Sequence, residues 1–312
     1  MSDKLSYTSA NIDIPIKLLH EQVMENGKIK PIHAQVILTN KCNLKCEFCS
    51  CADRNKQQEI PFEEVLGLLS KLKKLGTKAI TWTGGGEPLM YEKINEVLEF
   101  SDNLDIKNGL VTNGTLLDKL EISPTWCRIS SGDDRSPDIL KIAYAKWKHD
   151  KTDWAFSHVV SSSPNHEVIG RIVDFANRNN FTHVRLVSDL LNLKDNQMGN
   201  IKNYLQSHLI PDDLVIYQNR QNYEIGKKEC YISLLKPVIG ADKKVYPCCG
   251  SQYQNKGQKR DMLNSMGDIK ELEKIITDQK YFNGEKCDVC YYNNYNKILD
   301  LMVKNPKHKE FV

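Results

Sequence analysis

Short apolar runs alternate with amphipathic helical patterns along residues 34–187 of this chain. Apolar runs of this length predict buried strands, and apolar residues that recur every three or four positions predict helices packed on them. Such alternation predicts an α/β fold with a parallel sheet and right-handed crossovers. Six units favour a barrel or partial barrel over a flat doubly wound sheet, although periodicity alone does not separate the two. The predicted strands are 34–39, 78–83, 108–112, 126–130, 154–160 and 183–187, and the predicted helices are 61–76, 91–104, 137–149 and 167–180.

The unusual residues of this region follow the predicted strands. Cys42 comes after the first strand, Gly84–Glu87 after the second, Asn113 after the third and Ser131–Asp134 after the fourth. In parallel α/β architectures the chemistry gathers at the carboxyl ends of the strands. We therefore expect these residues to meet at one edge of the sheet and to form the functional site.

The chain has ten cysteines, and all but Cys127 fall into two groups. A signal peptide and an apolar stretch of membrane-spanning length are both missing from the sequence, so a cytoplasmic protein is expected. Because a reducing cytosol disfavours disulfides, clustered cysteines there indicate metal ligands or catalytic groups. The net charge of +3 gives no reason to expect nucleic acid or a membrane surface as a partner. Cys127 is predicted to be a buried core residue.

The first group contains Cys42, Cys46 and Cys49 in the segment TNKCNLKCEFCSC. Thiolates at such short spacings hold iron–sulfur clusters. Three thiolates can bind three irons of a cubane and leave the fourth iron open, and an open coordination position is typical of a catalytic metal site. On spacing alone, a structural zinc site with Cys51 as its fourth ligand is the alternative.

The spacing over residues 42–49 resembles the CxxxCxΦC signature of the radical S-adenosylmethionine (radical SAM) superfamily, with an aromatic residue at Φ. GGGEP at 84–88 and TNG at 112–114 match further features of that family in the same order. The resemblance covers about residues 30–190 and implies a partial (β/α)6 TIM-like barrel. It also implies that SAM is cleaved reductively at a [4Fe–4S] cluster, and that the resulting 5′-deoxyadenosyl radical abstracts hydrogen from a substrate.

The resemblance implies a role for each matching residue. Cys42, Cys46 and Cys49 would hold the cluster, whose open iron would bind the amino and carboxylate groups of SAM. For GGGEP the alternative is a plain turn, and for the leucine on the sixth strand it is a simple core residue. The cofactor-binding residues implied are Phe48 and Leu186 beside the adenine, Gly85, Gly86 and Glu87 at the ammonium group, and Asn113 and Ser131 at the ribose or carboxylate.

The second cysteine group lies in the last third of the chain. Its tight pair, Cys287-x2-Cys290, has the spacing of metal ligands, and a hairpin predicted at 238–249 ends at Cys248. The segment CYISLLKPVIGADKKVYPCC resembles the Twitch or SPASM extension of some radical SAM enzymes. This implies one auxiliary [4Fe–4S] cluster with a zinc site as the alternative, since the full two-cluster pattern needs more cysteines. The implied ligands are Cys230, Cys248, Cys287 and Cys290, with Cys249 as a spare thiol or alternative ligand.

The predicted organisation is a polar lead-in at 1–30, a radical SAM core at 31–209 and a smaller region at 210–312. The smaller region is predicted to contain the hairpin, a helix at 271–282 and the auxiliary cluster. The stretch from about residue 209 to 230 is predicted to be irregular.

The predicted function is oxidation or cross-linking of a small-molecule or peptide substrate, with an electron donor such as flavodoxin or ferredoxin as partner. The alternatives are a radical SAM epimerase or a methyl- or carbon-transferase without net oxidation, and a zinc-stabilised binding protein. About thirty residues before the first strand leave no room for a peptide-recognition domain, which disfavours leader-guided peptide maturation. Asp133–Arg135, Arg185 and Asp189 are candidates for the substrate pocket, and for Asp133–Arg135 the alternative is a solvated loop with an N-cap before the helix. His158 is predicted to be a satisfied core histidine.

Overall fold

The computed structural model describes residues 17–19, 22–189, 197–208, 213–218, 224–252, 265–287 and 289–304. Within these residues, ten strands form one mixed sheet and two more strands form a separate hairpin. The predicted α/β class with a central parallel sheet is confirmed, and the described strands form an open sheet rather than a closed barrel. No helix in the described part of the chain has the length and apolar character needed to cross a membrane.

Strands and helices alternate as the sequence predicts. The described strands are β1 (Met24–Glu25), β2 (Lys28–Ile29), β3 (His33–Val36), β4 (Ala79–Trp82), β5 (Lys107–Thr112), β6 (Trp126–Gly132), β7 (Asp153–Val160), β8 (His183–Ser188), β9 (Val215–Gln218), β10 (Val238–Ile239), β11 (Lys244–Tyr246) and β12 (Gly267–Asp268). The described α-helices are α1 (Phe62–Lys74), α2 (Ile94–Asn103), α3 (Ile139–Lys148), α4 (His166–Arg178), α5 (Met198–Ser207), α6 (Ile232–Leu235), α7 (Leu272–Thr277) and α8 (Asn293–Lys304).

The strand order in the sheet is β12-β11-β10-β3-β4-β5-β6-β7-β8-β9. All neighbours from β10 to β9 are parallel, and β11 and β12 extend the β10 edge in antiparallel fashion. The carboxyl ends of β3 to β9 therefore lie along one edge. This edge is where the sequence predicts the site.

Helix α1 shows why the sequence forms these elements. It begins after Pro61, which presets a backbone angle suited to the first turn, and its buried residues repeat at the helical period. Acidic residues occupy its first turn and lysines its last turn, which complements the helix dipole. Helix α4 is capped at its N-terminus by Asn165, whose side chain accepts a hydrogen bond from the Val168 amide.

The two faces of the sheet differ in character. One face is apolar: Ile129, Phe156 and Leu186 are fully buried in the main core, and the Phe156 ring stacks at 4.9 Å on Phe181. Because side chains alternate along a strand, the neighbouring residues point to the other face. We call the face that carries Arg128 and Arg185, turned away from the helix layer, the inner face.

Several elements differ from the sequence predictions. The lead-in contains the β1–β2 hairpin, whose two-residue Asn26–Gly27 turn has positive φ at both positions. The stretch predicted to be irregular contributes β9 to the sheet, and α5 and α8 were not predicted. The helix predicted at 271–282 is shorter, because a 3-10 turn at Ile269–Glu271 precedes α7. The division of the chain at residue 209 stays a prediction.

Candidate active site

The first cysteine group lies on the loop after β3, and its thiols interact electrostatically and through a hydrogen bond. Burial is the larger cause that raises the pKa of Cys42 and of Cys46, and the Cys49 thiol adds to both effects. A hydrogen bond from Cys51 lowers the pKa of Cys49 to about 6. Cys51 thus supports a thiolate at Cys49. The three predicted ligands are partly buried and close enough to interact.

The glycine run after β4 lies directly against the start of the cysteine loop. The Gly86 amide donates to the Thr39 carbonyl at 3.0 Å, and the Glu87 amide donates to the Lys41 carbonyl at 2.8 Å. A Cβ on Gly86 would lie 1.9 Å from the Lys41 oxygen, and one on Gly85 would lie 1.7 Å from Asn40 Oδ1. No side chain fits at these positions, so the close approach of the two segments requires glycine there.

Asn40 supplies an unused acceptor beside this run. Its amide nitrogen donates to the Asn55 carbonyl at 3.2 Å and to Gln58 Oε1 at 3.1 Å. Its Oδ1 atom is buried and has no hydrogen-bond partner. An unsatisfied buried acceptor costs free energy, and a ligand ammonium group would satisfy it. Sequence reasoning missed Asn40, although it lies two residues before Cys42.

Glu87 ties the ends of β4 and β5 together. Its carboxylate accepts from the Thr112 hydroxyl at 2.6 Å, the Asn113 amide at 2.7 Å and the Leu89 amide at 3.1 Å. Burial raises the pKa of Glu87, and these hydrogen bonds oppose that effect. Three donors of the chain itself therefore occupy the carboxylate. Its predicted contact with the SAM ammonium stays a prediction.

Asn113 bonds the end of β5 to the cysteine loop. Its Nδ2 donates to Asn43 Oδ1 at 2.9 Å, and Asn43 Nδ2 donates to the Thr115 hydroxyl at 2.9 Å. Asn113 Oδ1 in turn accepts from the Thr115 amide at 2.9 Å. The three side chains form a closed clasp that fixes the residues between Cys42 and Cys46. A role of Asn113 at the SAM ribose or carboxylate stays a prediction.

Phe48 packs on the end of β6. A Cβ on Gly132 would lie 2.0 Å from the Phe48 ring, so the ring rests on the bare backbone of that strand. Gly132 alternates with Arg128 and Ser130, so this contact lies on the inner face. The Asp134 carboxylate accepts from the Glu47 amide at 3.4 Å. The last turn of the cysteine loop therefore reaches over the inner face.

Ser131, His158 and Asp133 form a buried hydrogen-bonded chain. Ser131 Oγ lies 3.0 Å from His158 Nδ1, and His158 Nε2 lies 3.0 Å from Asp133 Oδ1. Burial acts to raise the pKa of Asp133, but the hydrogen bonds from His158 and two backbone amides outweigh it, so the pKa is lowered. His158 is a satisfied buried histidine, as predicted. The Ser131 hydroxyl is fully buried in this chain, and its contact with SAM stays a prediction.

Three other predicted residues lie on β6, β8 or the loop after β6. Leu186 is fully buried in the apolar core on the helix side, which agrees with the alternative of a simple core leucine. Its contact with the adenine stays a prediction. The Arg135 guanidinium donates to the carbonyls of Asn113, at 3.0 Å, and of Ser130, across the ends of β5 and β6. Cys127 is fully buried, as predicted.

The second cysteine group is assembled by backbone pairing of two distant segments. The Cys230 amide donates to the Phe282 carbonyl at 3.1 Å, and the Cys290 amide donates to the Glu224 carbonyl at 2.9 Å. Burial raises the pKa of Cys230 to about 12, with further contributions from Cys290 and Cys287. Burial also raises the pKa of Cys248, and Cys230 and Cys287 add to this effect. The four predicted auxiliary ligands are therefore neighbours.

Asn296 of α8 is a polar residue of this group that the sequence did not reveal. Its Nδ2 lies 3.9 Å from Cys230 Sγ and 3.8 Å from Cys290 Sγ, while its Oδ1 accepts from the Ile232 amide at 2.9 Å. The spare thiol Cys249 lies 3.4 Å from the Tyr292 hydroxyl. An amide donor aimed at two sulfurs stabilises their thiolate forms, which a metal site requires.

Among the described residues, no three His, Cys, Asp or Glu side chains surround a single metal-ion position. A cubane binds its cysteines through separate irons, so its ligand sulfurs lie farther apart than the ligands of one ion. Both cysteine groups have the donor type that an iron–sulfur cluster takes.

The sequence model of the radical SAM superfamily matches residues 36–129, which contain the cysteine loop, the glycine run and the Asn113 clasp. Over these residues the chain belongs to the radical SAM superfamily. Its cofactors are therefore a [4Fe–4S] cluster and SAM. The residues of the site fit these cofactors. Three thiols share one loop, no side chain intrudes at Gly84–Gly86, and the buried Asn40 Oδ1 has no hydrogen-bond partner.

Curated relatives match a limited part of this chain. A probable GTP 3′,8-cyclase of Methanocaldococcus jannaschii is 38% identical over 90 residues, covering 28% of this chain and 30% of the relative. The Fe-coproporphyrin III synthase of Methanosarcina barkeri is 32% identical over 120 residues, covering 38% of this chain and 29% of the relative. The matches span about three tenths of these relatives.

Solved structures extend the likeness to the whole fold. Streptococcus suis SuiB bound to precursor peptide SuiA has a TM-score of 0.60 at 16% identity, covering 90% of this chain and 75% of that one. Native anSMEcpe with bound AdoMet and the Kp18Cys peptide has a TM-score of 0.52 at 14% identity, covering 88% of this chain and 99% of that one. At these identities the likeness concerns the fold alone.

Proposed function

We propose that this radical SAM protein abstracts hydrogen from a substrate held on the inner face of the sheet, between its two cysteine groups. The observation that carries the proposal is that both groups border that face. Phe48 of the first loop rests on Gly132, at the end of the inner face of β6. On the other side, Cys248 and Cys249 act on Lys236, which also interacts with Arg128 and Arg185 of the inner face.

When bound, the reduced [4Fe–4S] cluster supplies an electron that cleaves SAM and yields a 5′-deoxyadenosyl radical. The chain's own residues have simpler tasks. Cys42, Cys46 and Cys49 would hold the cluster, and the Asn113 clasp fixes the loop that carries them. The glycine run brings its backbone close to the cofactor, and Asn40 Oδ1 offers an acceptor to an ammonium group.

The second cysteine group would hold an auxiliary cluster. Four neighbouring thiols, of which Cys230 is buried and the others are half-buried, are costly to ionise unless a metal centre offsets the negative charge. Asn296 supplies the donor that such sulfurs need. An auxiliary cluster held by these thiols would supply the electron acceptor that net oxidation or cross-linking needs. An external electron donor such as flavodoxin or ferredoxin would reduce the first cluster.

The second candidate function is a redox-neutral rearrangement. Several matched relatives are named GTP 3′,8-cyclase, and this name describes a cyclisation rather than an oxidation. The match covers about three tenths of those relatives, so their substrate enters only as a candidate to test. The two functions differ in electron balance. Counting SAM consumed and electrons released per product, and assaying for S-adenosylhomocysteine, separates oxidation, redox-neutral rearrangement and methyl transfer.

Anaerobic reconstitution tests the proposal. We expect about eight irons per chain, for two cubanes, and formation of 5′-deoxyadenosine from SAM and dithionite. Cys46→Ala should abolish deoxyadenosine formation, whereas Cys290→Ala should leave about four irons and damage product formation more than SAM cleavage. Cys127→Ala, at a buried cysteine outside both groups, is the matched control.

Three outcomes would count against the proposal. A colourless protein with zinc and no iron would favour a zinc-stabilised binding protein. Wild-type protein with about four irons would remove the auxiliary cluster. Equal deoxyadenosine formation in Cys46→Ala and wild type would remove the open-iron site.

A further inference from the structure

Three cationic side chains meet on the inner face of the sheet. Arg128 lies on β6 with its guanidinium 5.4 Å from the ring centroid of Trp126, two residues earlier on the same face. Arg185 lies on β8 and donates from Nη2 to the Ser157 hydroxyl of β7 at 3.1 Å. Because Ser157 and Arg185 are paired across the two strands, both point to the inner face.

Lys236 supplies the third charge from the end of α6, just before β10. Its ammonium lies 5.6 Å from the ring centroid of Tyr292. Burial is the largest cause that lowers the pKa of Lys236, and the guanidinium groups of Arg128 and Arg185 contribute to it. The register of β6, β7 and β8 places Arg128 and Arg185 on the same face two strands apart, and Lys236 interacts with both. Among the described residues, no carboxylate forms an ion pair with Lys236.

Three uncharged polar side chains of β3 and β4 lie on the same face. His33 Nε2 lies 2.8 Å from the Thr81 hydroxyl, and burial followed by Lys236 lowers the pKa of His33 well below its ordinary value. His33 is therefore neutral at pH 7. Gln35 and Thr81, which alternate onto the same face, are buried and uncharged. These three side chains therefore add no negative charge to the inner face.

We propose that Arg128, Arg185 and Lys236 bind the anionic oxygens of the substrate, which is a small molecule with at least two negative charges on phosphate or carboxylate groups. The inference rests on the proposed function, because it names the substrate class of that site. Like charges in a partly buried space repel one another, and an anion bound among them removes that cost. Guanidinium groups bind such oxygens through two parallel hydrogen bonds, and the ammonium adds a point charge.

The competing explanation is that the cations offset the charge of the second cysteine group. Cys249 and Cys248 do act on Lys236, in the direction that raises its pKa. However, neither Arg128 nor Arg185 is among the main groups that act on Cys248 or Cys230. The two explanations predict different losses when the arginines are changed.

Equilibrium binding to the reconstituted full-length protein tests the inference. The probes are pyrophosphate and citrate, titrated calorimetrically at low and high salt. Each of Arg128→Gln, Arg185→Gln and Lys236→Gln should weaken probe binding about tenfold to a hundredfold, the effect of one charge-assisted hydrogen bond. Arg178→Gln, at an exposed ion pair with Asp174 on α4, should leave binding unchanged. Binding should also weaken at high salt.

The outcomes separate the explanations. Preference for pyrophosphate indicates a phosphorylated substrate, and preference for citrate a polycarboxylate. Failure of both probes to bind wild type, or equal binding by wild type and folded Arg128→Gln/Arg185→Gln, overturns the inference. Loss of iron in these variants with unchanged anion binding assigns the cations to the second metal centre and also overturns it. Because probe binding needs no SAM cleavage, anion binding without deoxyadenosine formation would refute the proposed function and leave this inference standing.

Discussion

Replacing Gly86 with alanine tests whether the glycine run holds the cysteine loop in place. The new Cβ would lie 1.9 Å from the Lys41 oxygen and 2.5 Å from its carbonyl carbon. Both contacts are with backbone, so no side chain can swing aside. Restoring the 3.4 Å of an ordinary contact requires the two segments to separate by about 1.5 Å.

The separation breaks the two hydrogen bonds that join the segments, from the Gly86 amide to Thr39 and from the Glu87 amide to Lys41. Each contributes about 1 kcal/mol net, so Gly86→Ala should lower the free energy of unfolding by about 2 kcal/mol or more. The loop that carries Cys42 moves with them. We therefore also expect less iron per chain after reconstitution.

Gly67→Ala is the matched control. Gly67 lies in the middle of α1, and a Cβ there meets nothing within 4 Å. The same substitution should raise the free energy of unfolding by about 0.5–1 kcal/mol, because alanine favours the helix. Urea unfolding of the full-length protein measures both. Two variants with the same sign, or a Gly86→Ala variant as stable as wild type, would show that close approach does not hold the loop.

Three further predictions follow from the site. Gly132→Ala brings a Cβ to 2.0 Å from the Phe48 ring, so the ring should move and iron retention on gel filtration should fall; unchanged retention would contradict this. Asn296→Asp replaces the donor to two thiols with a carboxylate and should cost about four irons per chain but not deoxyadenosine formation; full iron content would count against it. Asp133 has a lowered pKa, because its hydrogen bonds outweigh burial, so its ionised form stabilises the fold above the ordinary aspartate pKa of about 4. That contribution is lost as pH falls further, and Asp133→Asn should flatten the acid limb of urea midpoints; parallel curves would refute it.

The strands of the parallel sheet could be predicted because each one is a short apolar run that periodicity detects. The hairpin at Asn26–Gly27 could also have been found, since Asn-Gly is a strong hairpin signal. Strand β9 could not, because four residues between polar stretches become a strand only when the β8 edge is there to pair with. Helix α8 opens with Asn293 and Asn294, which are poor helix formers, and its tertiary contacts override that tendency.

The candidate site divides in the same way. The first cysteine group is local in sequence, so its spacing was sufficient to find it. The cationic group on the inner face could not be predicted in this way, because Arg128 and Lys236 are more than a hundred residues apart in sequence and the fold brings them together. Arg185 was predicted to border the pocket from its position at the end of a strand. Asn296 lies six residues after Cys290, but its second sulfur partner, Cys230, is 66 residues away, so the sequence did not reveal that it lies between the two.

The sheet also argues that the regions on either side of residue 209 fold together. Strand β10 pairs with β3, the strand that leads into the cysteine loop, through the Gln35 amide to the Pro237 carbonyl at 3.0 Å and the Ile37 amide to the Ile239 carbonyl at 2.9 Å. Gln279, beyond α7, accepts from the Ile29 amide and donates to its carbonyl. A fragment ending at residue 209 would lose these bonds and expose the edge of β3. The position of the first cysteine group therefore depends on residues 237–239 and on Gln279, and the distance between the two groups is fixed by the sheet they share.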